Sequence, residues 1–396
     1  MHSSTPLIAA WARSAVVPRG GAFKALHAHD IAAPVVQALL HRAGLAATHV
    51  NAIVVGNALG AGGNPARMLA LHAGLPQACA AFTLDTQCCA GLDAVSMGLA
   101  LIASGQAEVV IAGGVEAWSR SPIRMHRPLH ANDEAQAYER PAFTPPPAQD
   151  PDMLLSAARY AAQHGYTRAQ QDAYALHSHE RAVAHLAQMA TEIVSVAGVT
   201  HDVYPRVINA ARAQRMPVVA RSDALAAQDA NAFALSALSI SAQADGAAFV
   251  LLLAPSAVAR LGIEAKATCV ATASVGGAPE LPLLAAELAA REALKRAGLA
   301  DADSLKFVEL HDAFAVQGLS FAKGLSIAPE RLNAMGGGLV RGHPIGASGA
   351  IALVRLLADL SRNNSTRDYG LVAIAGAGGL GSAAVVQVQP SNMDEN

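Results

Sequence analysis

Residues 84–95 read Leu-Asp-Thr-Gln-Cys-Cys-Ala-Gly-Leu-Asp-Ala-Val, and this stretch places a thiol between a strand and a helix. Residues 82–84 are typical of a strand end, whereas Leu92, Val95 and later apolar residues follow at helical spacing. Cys88 therefore falls in the strand-to-helix turn. The unpaired N–H groups and the positive end of the helix dipole favour a thiolate at this position. We predict a nucleophilic cysteine here.

Two other interpretations of the cysteine pair stay open at this point. Free cysteines are commonly small buried hydrophobes. Adjacent cysteines also suggest a metal site, although structural zinc sites use cysteines two to four residues apart. The four cysteines show neither metal-type spacing nor a disulfide framework. We therefore expect no bound metal and a reducing compartment.

The composition excludes several classes of protein. The chain has 396 residues, of which 53% are hydrophobic, enough for two to three domain-sized units. A net charge of −2 leaves no basic surplus for nucleic acid or an anionic membrane. The apolar run 247–254 is far shorter than the roughly 18 residues that span a bilayer, and the N-terminus lacks a secretory signal pattern. We predict a cytoplasmic protein with no nucleic-acid or membrane partner.

Strand-like and helix-like segments alternate in both terminal parts of the chain, which indicates a mainly parallel sheet with helices on its faces. Residues 108–114 and 371–377 read Glu-Val-Val-Ile-Ala-Gly-Gly and Leu-Val-Ala-Ile-Ala-Gly-Ala, which predicts two copies of one α/β unit. The predicted strands are 50–56, 80–84, 108–113, 247–253, 266–273, 307–310 and 371–375. The predicted helices are 32–43, 66–73, 92–105, 283–297 and 347–359.

Residues 119–235 differ in amino-acid composition from the rest of the chain, because Pro, His, Arg and Asn become common. We interpret this region as an inserted, lid-like domain. Within it, the sequence Thr-Arg-Ala-Gln at 167–170 has the form of a capping box and predicts the start of a long helix. The apolar face of that helix is predicted to contain Ala173, Leu176, Val183 and Leu186.

One histidine directly follows a predicted strand, and another lies within a glycine-rich segment. His311 comes directly after the strand 307–310, at the sheet edge where open α/β folds place ligands. His343 lies in the glycine-rich segment 336–349, where glycines allow close backbone approach to a ligand. A phosphate-binding P-loop is excluded because the required Gly-Lys-Ser/Thr is missing. A cysteine and two histidines on such loops suit nucleophilic acyl transfer.

At these residues the sequence resembles the thiolase superfamily, the acyl-CoA C-acyltransferases, over nearly the whole chain. The resemblance implies an α/β fold with duplicated halves, each containing a mixed five-stranded sheet, in a layered αβαβα core. The implied domains are residues 1–118 completed by about 236–256, the insertion 119–235, and residues 257–396. The shared motifs are Asn64–Arg67 with Gly74–Pro76, Cys88–Leu92, Ala112–Ser119, Arg168–Ala182, Ser241 with Asp245–Gly246, His311–Ala315, and Gly342–Gly349.

The resemblance also implies roles for individual residues. Cys88 would be the nucleophile, and Cys89 occupies a position where a small residue is usual. His343 would deprotonate Cys88, and the backbone N–H groups of Cys88 and Ala377 would form an oxyanion hole. Ser241 would contact coenzyme A.

Two departures from the family pattern affect the chemistry. The family's second cysteine, an acid/base in the carbon–carbon step, is Ala375 here, and no cysteine follows Cys269. The loss of a positioned acid/base costs about 10²–10⁴-fold in rate. In the family a glycine gives the second oxyanion amide, and this position is Ala377 here. Alanine can replace that glycine only if the position has an ordinary φ.

We predict a thiolase-type acyl-CoA C-acyltransferase that works through a cysteine acyl-enzyme. His311 would be an oxyanion donor or would substitute for the missing acid/base, as in the Cys-His-His set of ketosynthases. One alternative is therefore a ketosynthase-like condensing enzyme or acyltransferase impaired in ordinary thiolysis. Another is a non-catalytic subunit that binds acyl-CoA or serves an accessory protein. We expect no bound cofactor, a coenzyme A thioester as substrate, and a homodimer or dimer of dimers.

Overall fold

The computed structural model describes residues 5–60, 62–130, 132–147, 150–226, 231–363 and 368–389. Its strands are β1 (Leu7–Ser14), β2 (Val17–Pro18), β3 (Ala52–Gly56), β4 (Ala80–Leu84), β5 (Val109–Ala117), β6 (Arg124–His126), β7 (Gln136–Tyr138), β8 (Ile193–Val194), β9 (Val218–Ala220), β10 (Leu235–Ser236), β11 (Ala244–Leu253), β12 (Ala267–Gly276), β13 (Leu305–His311), β14 (Tyr369–Gly376) and β15 (Leu380–Val388). Its α-helices are α1 (Ala28–Ala43), α2 (Pro65–His72), α3 (Ala90–Ala103), α4 (Met153–His164), α5 (Arg168–Ala184), α6 (Leu186–Ala190), α7 (Ala210–Gln214), α8 (Pro255–Leu261), α9 (Ala285–Arg296), α10 (Ala315–Gly324), α11 (Gly338–Arg341) and α12 (Ser348–Arg362).

One sheet runs through both halves of the molecule in the order β13-β14-β15-β12-β1-β11-β5-β3-β4, and β2 and β8 pair at its side. The halves join where Leu7 and Ile8 of β1 pair with Thr268 and Ala267 of β12. Parallel pairing occurs in β4-β3-β5, in β13-β14 and in the short pairing of β1 with β8, and the other strand pairs described in this sheet are antiparallel. The sheet is therefore mixed rather than mainly parallel, in part because a three-residue turn joins β14 to β15 as an antiparallel hairpin.

Among the described residues, the N-terminal half of the sheet has the five strands that the resemblance implies, and the C-terminal half has four. Beside β13, where a fifth strand is expected, the structure has a single parallel bridge between Val308 and Leu332. Asn333 follows with a φ of 50°, outside the range that extended strands adopt. The chain therefore leaves the extended conformation after one bridge.

Three apolar clusters alternate with the two halves of the sheet and produce the layered αβαβα order. Helices α1 and α2 cover the outer face of the N-terminal half, and α9 and α10 cover that of the C-terminal half. Helices α3 and α12 lie between the halves and contact both. Residues 348–360 of α12 are all buried, as expected for a helix enclosed on every side. In the described residues no helix is long and apolar enough to cross a membrane.

Glycines allow the two inner helices to approach closely at their N-terminal ends. A Cβ atom at Gly91 of α3 would lie 2.7 Å from the carbonyl oxygen of Gly346. A Cβ atom at Gly349 of α12 would lie 2.9 Å from the Cβ of Leu92. Larger residues would separate the helices, so these glycines bring the turn before α3 against the turn before α12.

The ribbons β6-β7 and β9-β10 and the helices α4 to α7 lie between β5 and β11 in the chain, and neither ribbon belongs to the main sheet. Helix α5 begins with the predicted capping box of Thr167 and Gln170. Its predicted face is wrong, because Ala173 is exposed and the other three residues are only half-buried. The buried side chains are mostly polar and find partners there, such as Asp172, which accepts from Ser236 Oγ at 2.5 Å. They are Gln171, Asp172, Ala175, Ser178, His179 and Ala182.

Candidate active site

Cys88 lies in the turn between β4 and α3, as the sequence predicts. Gln87 has a φ of 55°, which bends the chain sharply just before the thiol. Cys89 is the N-cap residue of α3. The half-buried side chain of Cys88 lines a cavity of about 670 Å³. The thiol is therefore accessible to a small molecule that enters the cavity.

His343 reaches Cys88 from the other half of the molecule. Its Nε2 lies 3.1 Å from Cys88 Sγ, and its Nδ1 lies 2.7 Å from Ser348 Oγ. The backbone N–H of His343 donates to the carbonyl of Ala242 at 2.7 Å, which fixes the turn. The structure thus brings the predicted nucleophile and the predicted base into direct contact.

The protonation of this pair differs from the sequence-based expectation of a thiolate. Desolvation raises the pKa of the Cys88 thiol to about 12, although the amide groups of Ala377 and Cys88 lower it. Desolvation also lowers the pKa of His343 to about 4. The two backbone amides do not outweigh the loss of solvent. A neutral thiol beside a neutral imidazole is the resting state, and the imidazole can accept the thiol proton when the sulfur attacks.

His311 lies at the end of β13, and its ring centroid is 4.4 Å from that of His343. The side chain is buried, and burial lowers its pKa well below the ordinary value. Its Nε2 has no hydrogen-bond partner among the described residues. A Cβ atom at Gly338 would lie 2.2 Å from His311 Nδ1, so the glycine makes room for the imidazole. The structure therefore places His311 behind the cavity wall, next to His343, which itself contacts Cys88.

The end of β14 and the turn after it form another part of the cavity wall. Ala375 and Ala377 both line the cavity, and the amide of Ala377 acts on the Cys88 sulfur. Ala377 keeps an ordinary φ, because the positive φ values of this turn belong to Gly378 and Gly379. Replacement of the family glycine by alanine is thus compatible with the backbone. Ala375 brings a methyl group to the position where the family has its second thiol.

Cys89 and Ser241 have structural contacts. The Cys89 side chain is buried, and its Sγ lies 3.7 Å from the carbonyl oxygen of Ile374. No metal-binding group of three or more His, Cys, Asp or Glu side chains occurs in the described part of the chain. Ser241 lines the cavity, but its hydroxyl donates to the carbonyl of Gly338 at 2.7 Å. Its lone pairs remain the means by which it could contact a ligand.

The cavity wall combines apolar and basic side chains from the core and from the insertion. Arg19, Arg124 and Arg140 line the cavity together with the acidic Glu139 and Asp152, and Arg140 forms an ion pair with Asp150. Arg124 also donates to the carbonyl of Ala58 at 2.9 Å, which ties the ribbon β6-β7 to the core. The large apolar residues in the wall are Leu59, Trp118, Ile123, Phe143, Met153, Leu154, Ile240, Leu283, Phe314 and Ile345.

The sequence interpretation missed Glu116, although it lies inside a quoted motif. Its buried carboxylate accepts from Asn57 Nδ2 and the amides of Ala58, Leu59 and Gly346 at 2.9–3.3 Å. Burial raises its pKa to about 7, against the lowering effect of these amides. Glu116 therefore connects the loop after β3 to the turn that contains His343. A charged residue at the end of a fully buried strand was the available signal.

The layered fold, with a cysteine–histidine pair at the junction of its two α/β halves, is that of a class of acyl-transferring enzymes. Residues 7–256 match the thiolase N-terminal domain and residues 263–388 match the thiolase C-terminal domain. The chain belongs to the thiolase family and is a thiolase-type acyl-CoA C-acyltransferase. The predicted family, fold class and enzyme class are therefore confirmed.

Relatives and solved structures match the chain nearly end to end. An acetyl-CoA acetyltransferase of Rhizobium meliloti (strain 1021) is 34% identical over 98% of this chain and 100% of its own length. An acetyl-CoA acetyltransferase from Thiocystis violacea is 33% identical over 97% of this chain and 99% of its own length. The crystal structure of the Bacillus anthracis acetyl-CoA acetyltransferase matches with a TM-score of 0.88 and 27% identity over 97% and 98%. The crystal structure of Acat5 thiolase from Ascaris suum in complex with coenzyme A matches with a TM-score of 0.86 and 26% identity. This match covers 97% of this chain and 100% of that one.

Proposed function

We propose that Cys88 is the nucleophile that takes the acyl group from an acyl-CoA thioester and that His343 is its general base. The observation that supports this most directly is the 3.1 Å contact between His343 Nε2 and Cys88 Sγ at the cavity. The imidazole accepts the thiol proton as the sulfur attacks the thioester carbon. It then returns the proton to the departing coenzyme A thiolate, so acyl transfer to Cys88 needs no second acid.

The backbone amides of Cys88 and Ala377 are the proposed oxyanion hole. Both amides already act on the Cys88 sulfur and lower its pKa against the effect of burial. Preorganised backbone donors of this kind stabilise the negative charge that develops on the thioester oxygen. Because the groups involved are amides, the side chain at position 377 is free to be methyl.

His311 has the role that distinguishes two candidate functions. Its unpartnered Nε2 can donate to an oxyanion or exchange a proton with the acyl α-carbon in place of the missing thiol. If that proton transfer is efficient, the enzyme catalyses thiolysis or condensation of acyl-CoAs. If it is slow, acylation of Cys88 survives and the chain is a specialised, ketosynthase-like transferase. Ala375 in the cavity wall is the observation that favours this second candidate.

We propose that the cavity binds the whole acyl-CoA without any further cofactor. The arginines of the wall suit the phosphates of coenzyme A, and the apolar residues suit the pantetheine and acyl chains. Ser241 would contribute its hydroxyl oxygen as an acceptor. Residues 119–235 would act as the lid, because Phe143, Met153 and Leu154 close one side of the cavity. The cytoplasm is the proposed location.

We also propose a homodimer, or a dimer of dimers, with β4 at its centre. Among the described residues, strand β4 has a single partner in the main sheet, and exposed apolar side chains at Phe82, Met68 and Leu71 surround this edge. An exposed edge of this kind is a template for pairing with another chain. The contact between Cys88 and His343 argues against a purely non-catalytic subunit with an accessory partner. Light scattering of the purified protein would measure the oligomeric state.

The proposed function is tested by intact-mass measurement after incubation with a panel of acyl-CoAs. The wild type is expected to gain the mass of one acyl group, and Cys88→Ala is expected to gain none. Cys89→Ala is the matched control, because Cys89 is adjacent but points into the core. It should acylate like the wild type. An adduct on Cys88→Ala, or no adduct on the wild type with any acyl-CoA, would contradict the proposal.

A further inference from the structure

We infer that Ser348 is a positioning residue that holds His343 in the tautomer with a proton on Nδ1 and a free electron pair on Nε2. This inference deepens the proposed function and depends on it. Ser348 is the first residue of α12 and is 1% exposed, so its hydroxyl has to find its partners inside the protein. Those partners are the imidazole of His343 and the carbonyl of Pro344.

The hydrogen-bond chain determines where each proton lies. Ser348 Oγ is 2.9 Å from the carbonyl oxygen of Pro344, which can only accept. Ser348 can therefore donate its hydroxyl proton to Pro344 and accept from His343 Nδ1–H at 2.7 Å. Nε2 is then unprotonated and faces the Cys88 thiol at 3.1 Å. In this arrangement the thiol, imidazole and hydroxyl hydrogens of Cys88, His343 and Ser348 each have an acceptor.

The other tautomer of His343 leaves the hydrogen bonds of Cys88 and Ser348 less well satisfied. A proton on Nε2 would point at Cys88 Sγ, which is a weak acceptor, and the thiol proton would lose its own acceptor. The hydroxyl of Ser348 would have to turn from Pro344 towards Nδ1. In a buried site such an unpaired polar group is costly. The tautomer that can act as a base is therefore the one the protein stabilises.

Ser348 also stabilises the imidazolium that forms during attack. Once Nε2 has accepted the thiol proton, both ring nitrogens donate, one to the Cys88 sulfur and one to Ser348. The second hydrogen bond needs no rearrangement, because Nδ1 already donates to the same oxygen in the resting state. Ser348 thus supports the base before and after the proton transfer without touching the substrate.

The experiment measures the rate at which iodoacetamide alkylates Cys88 as a function of pH, without acyl-CoA. In the wild type the rate is expected to vary little between pH 6 and pH 9, because neutral His343 removes the proton throughout this range. Ser348→Ala should lower the rate at pH 7 by about 10–100-fold. It should also make the rate rise with pH, because hydroxide then competes with the mispositioned base. Ser361→Ala is the control for a serine on the exposed side of the same helix.

A second measurement does not depend on a variant that might be unstable. Nitrogen NMR of histidine-labelled wild-type protein should show a protonated Nδ1 and an unprotonated Nε2 for His343, assigned by the signal that His343→Gln removes. A protonated Nε2, or a wild-type alkylation profile in Ser348→Ala, would overturn the inference. The alkylation assay needs no substrate, so its outcome stays separate from the failure of acyl-enzyme formation that would refute the proposed function.

Discussion

In the N-terminal half the turn before α3 contains Cys88, and in the C-terminal half the segment before α12 contains His343. The strands beside these helices differ more. Within β5, a Cβ atom on Gly114 would lie 2.0 Å from the carbonyl oxygen of Gly346, so this part of the strand is closely packed. At the matching positions of the C-terminal half, Ala375 of β14 and Ala377 just after it face the cavity. Similar strands therefore serve packing in one half and the reaction cavity in the other.

This difference shows why the substitutions in the C-terminal turn matter most. A change at Gly114 would disturb the contact between the two halves. Changes at Ala375 and Ala377 alter the cavity wall and leave that contact in place. The C-terminal strand end can therefore vary in chemistry while the nucleophile and its base remain together.

The largest effect is expected from removing the amide of Ala377. Ala377→Pro deletes the N–H group, and the preceding Gly376, with φ −126° and ψ 157°, already has a conformation that accepts a following proline. The rate of Cys88 acylation should fall by about 10²–10³-fold. Ala377→Gly keeps the amide and should stay within about threefold of the wild type. Stopped-flow measurement of coenzyme A release would compare the two.

Equal rates for the proline and glycine variants would show that the oxyanion is stabilised elsewhere. The amide of Cys88 and the imidazole of His311 would then be the remaining donors in this part of the site. Circular dichroism of both variants would establish that they are folded alike, so that the comparison concerns the amide alone.

The sequence located the turns that contain Cys88 and His343 more accurately than it located the surrounding strands and helix faces. Cys88 and His343 could be placed because short motifs fix their position at the start of an inner helix. Strands β1 and β15 were missed, because Ala-rich segments without clear alternation do not reveal a central strand. The buried face of α5 was predicted wrongly, because apolar spacing cannot anticipate that Asp172 and His179 find partners in the insertion. The raised pKa of Cys88 depends on desolvation by both halves, which no local pattern contains.

A moderate gain is expected from restoring a thiol to the C-terminal turn. Ala375→Cys places an acid/base at the cavity wall, where one methyl group now stands. If His311 substitutes poorly for that thiol, cleavage of acetoacetyl-CoA should rise by about 10–100-fold, at or below the lower end of the roughly 10²–10⁴-fold that a positioned acid/base contributes. Acylation of Cys88 should not change. A coupled absorbance assay would measure cleavage.

Ala375→Ser is the matched control, because a hydroxyl has similar size but does not exchange protons like a thiol. Rapid cleavage by the wild type, unchanged in Ala375→Cys, would identify His311 as an efficient substitute. The ketosynthase-like alternative would then be rejected. His311→Ala should in that case abolish cleavage while leaving Cys88 able to react with iodoacetamide.

The smallest effect concerns Glu116, which has no counterpart in the turn after β14. Burial raises its pKa to about 7 from the ordinary 4.5, so the folded protein keeps a proton that the unfolded chain has lost at intermediate pH. The free energy of unfolding therefore falls as the pH rises towards about 7. Above that pH the contribution of Glu116 protonation to stability is fully lost. Between pH 6 and pH 8 the free energy of unfolding should fall by about 1 kcal/mol through this residue. Glu116→Gln should lack that decrease, although its amide group faces N–H donors and lowers stability at every pH. Urea unfolding of both proteins at the two pH values measures the difference, and parallel curves would mean that Glu116 titrates at its ordinary pKa.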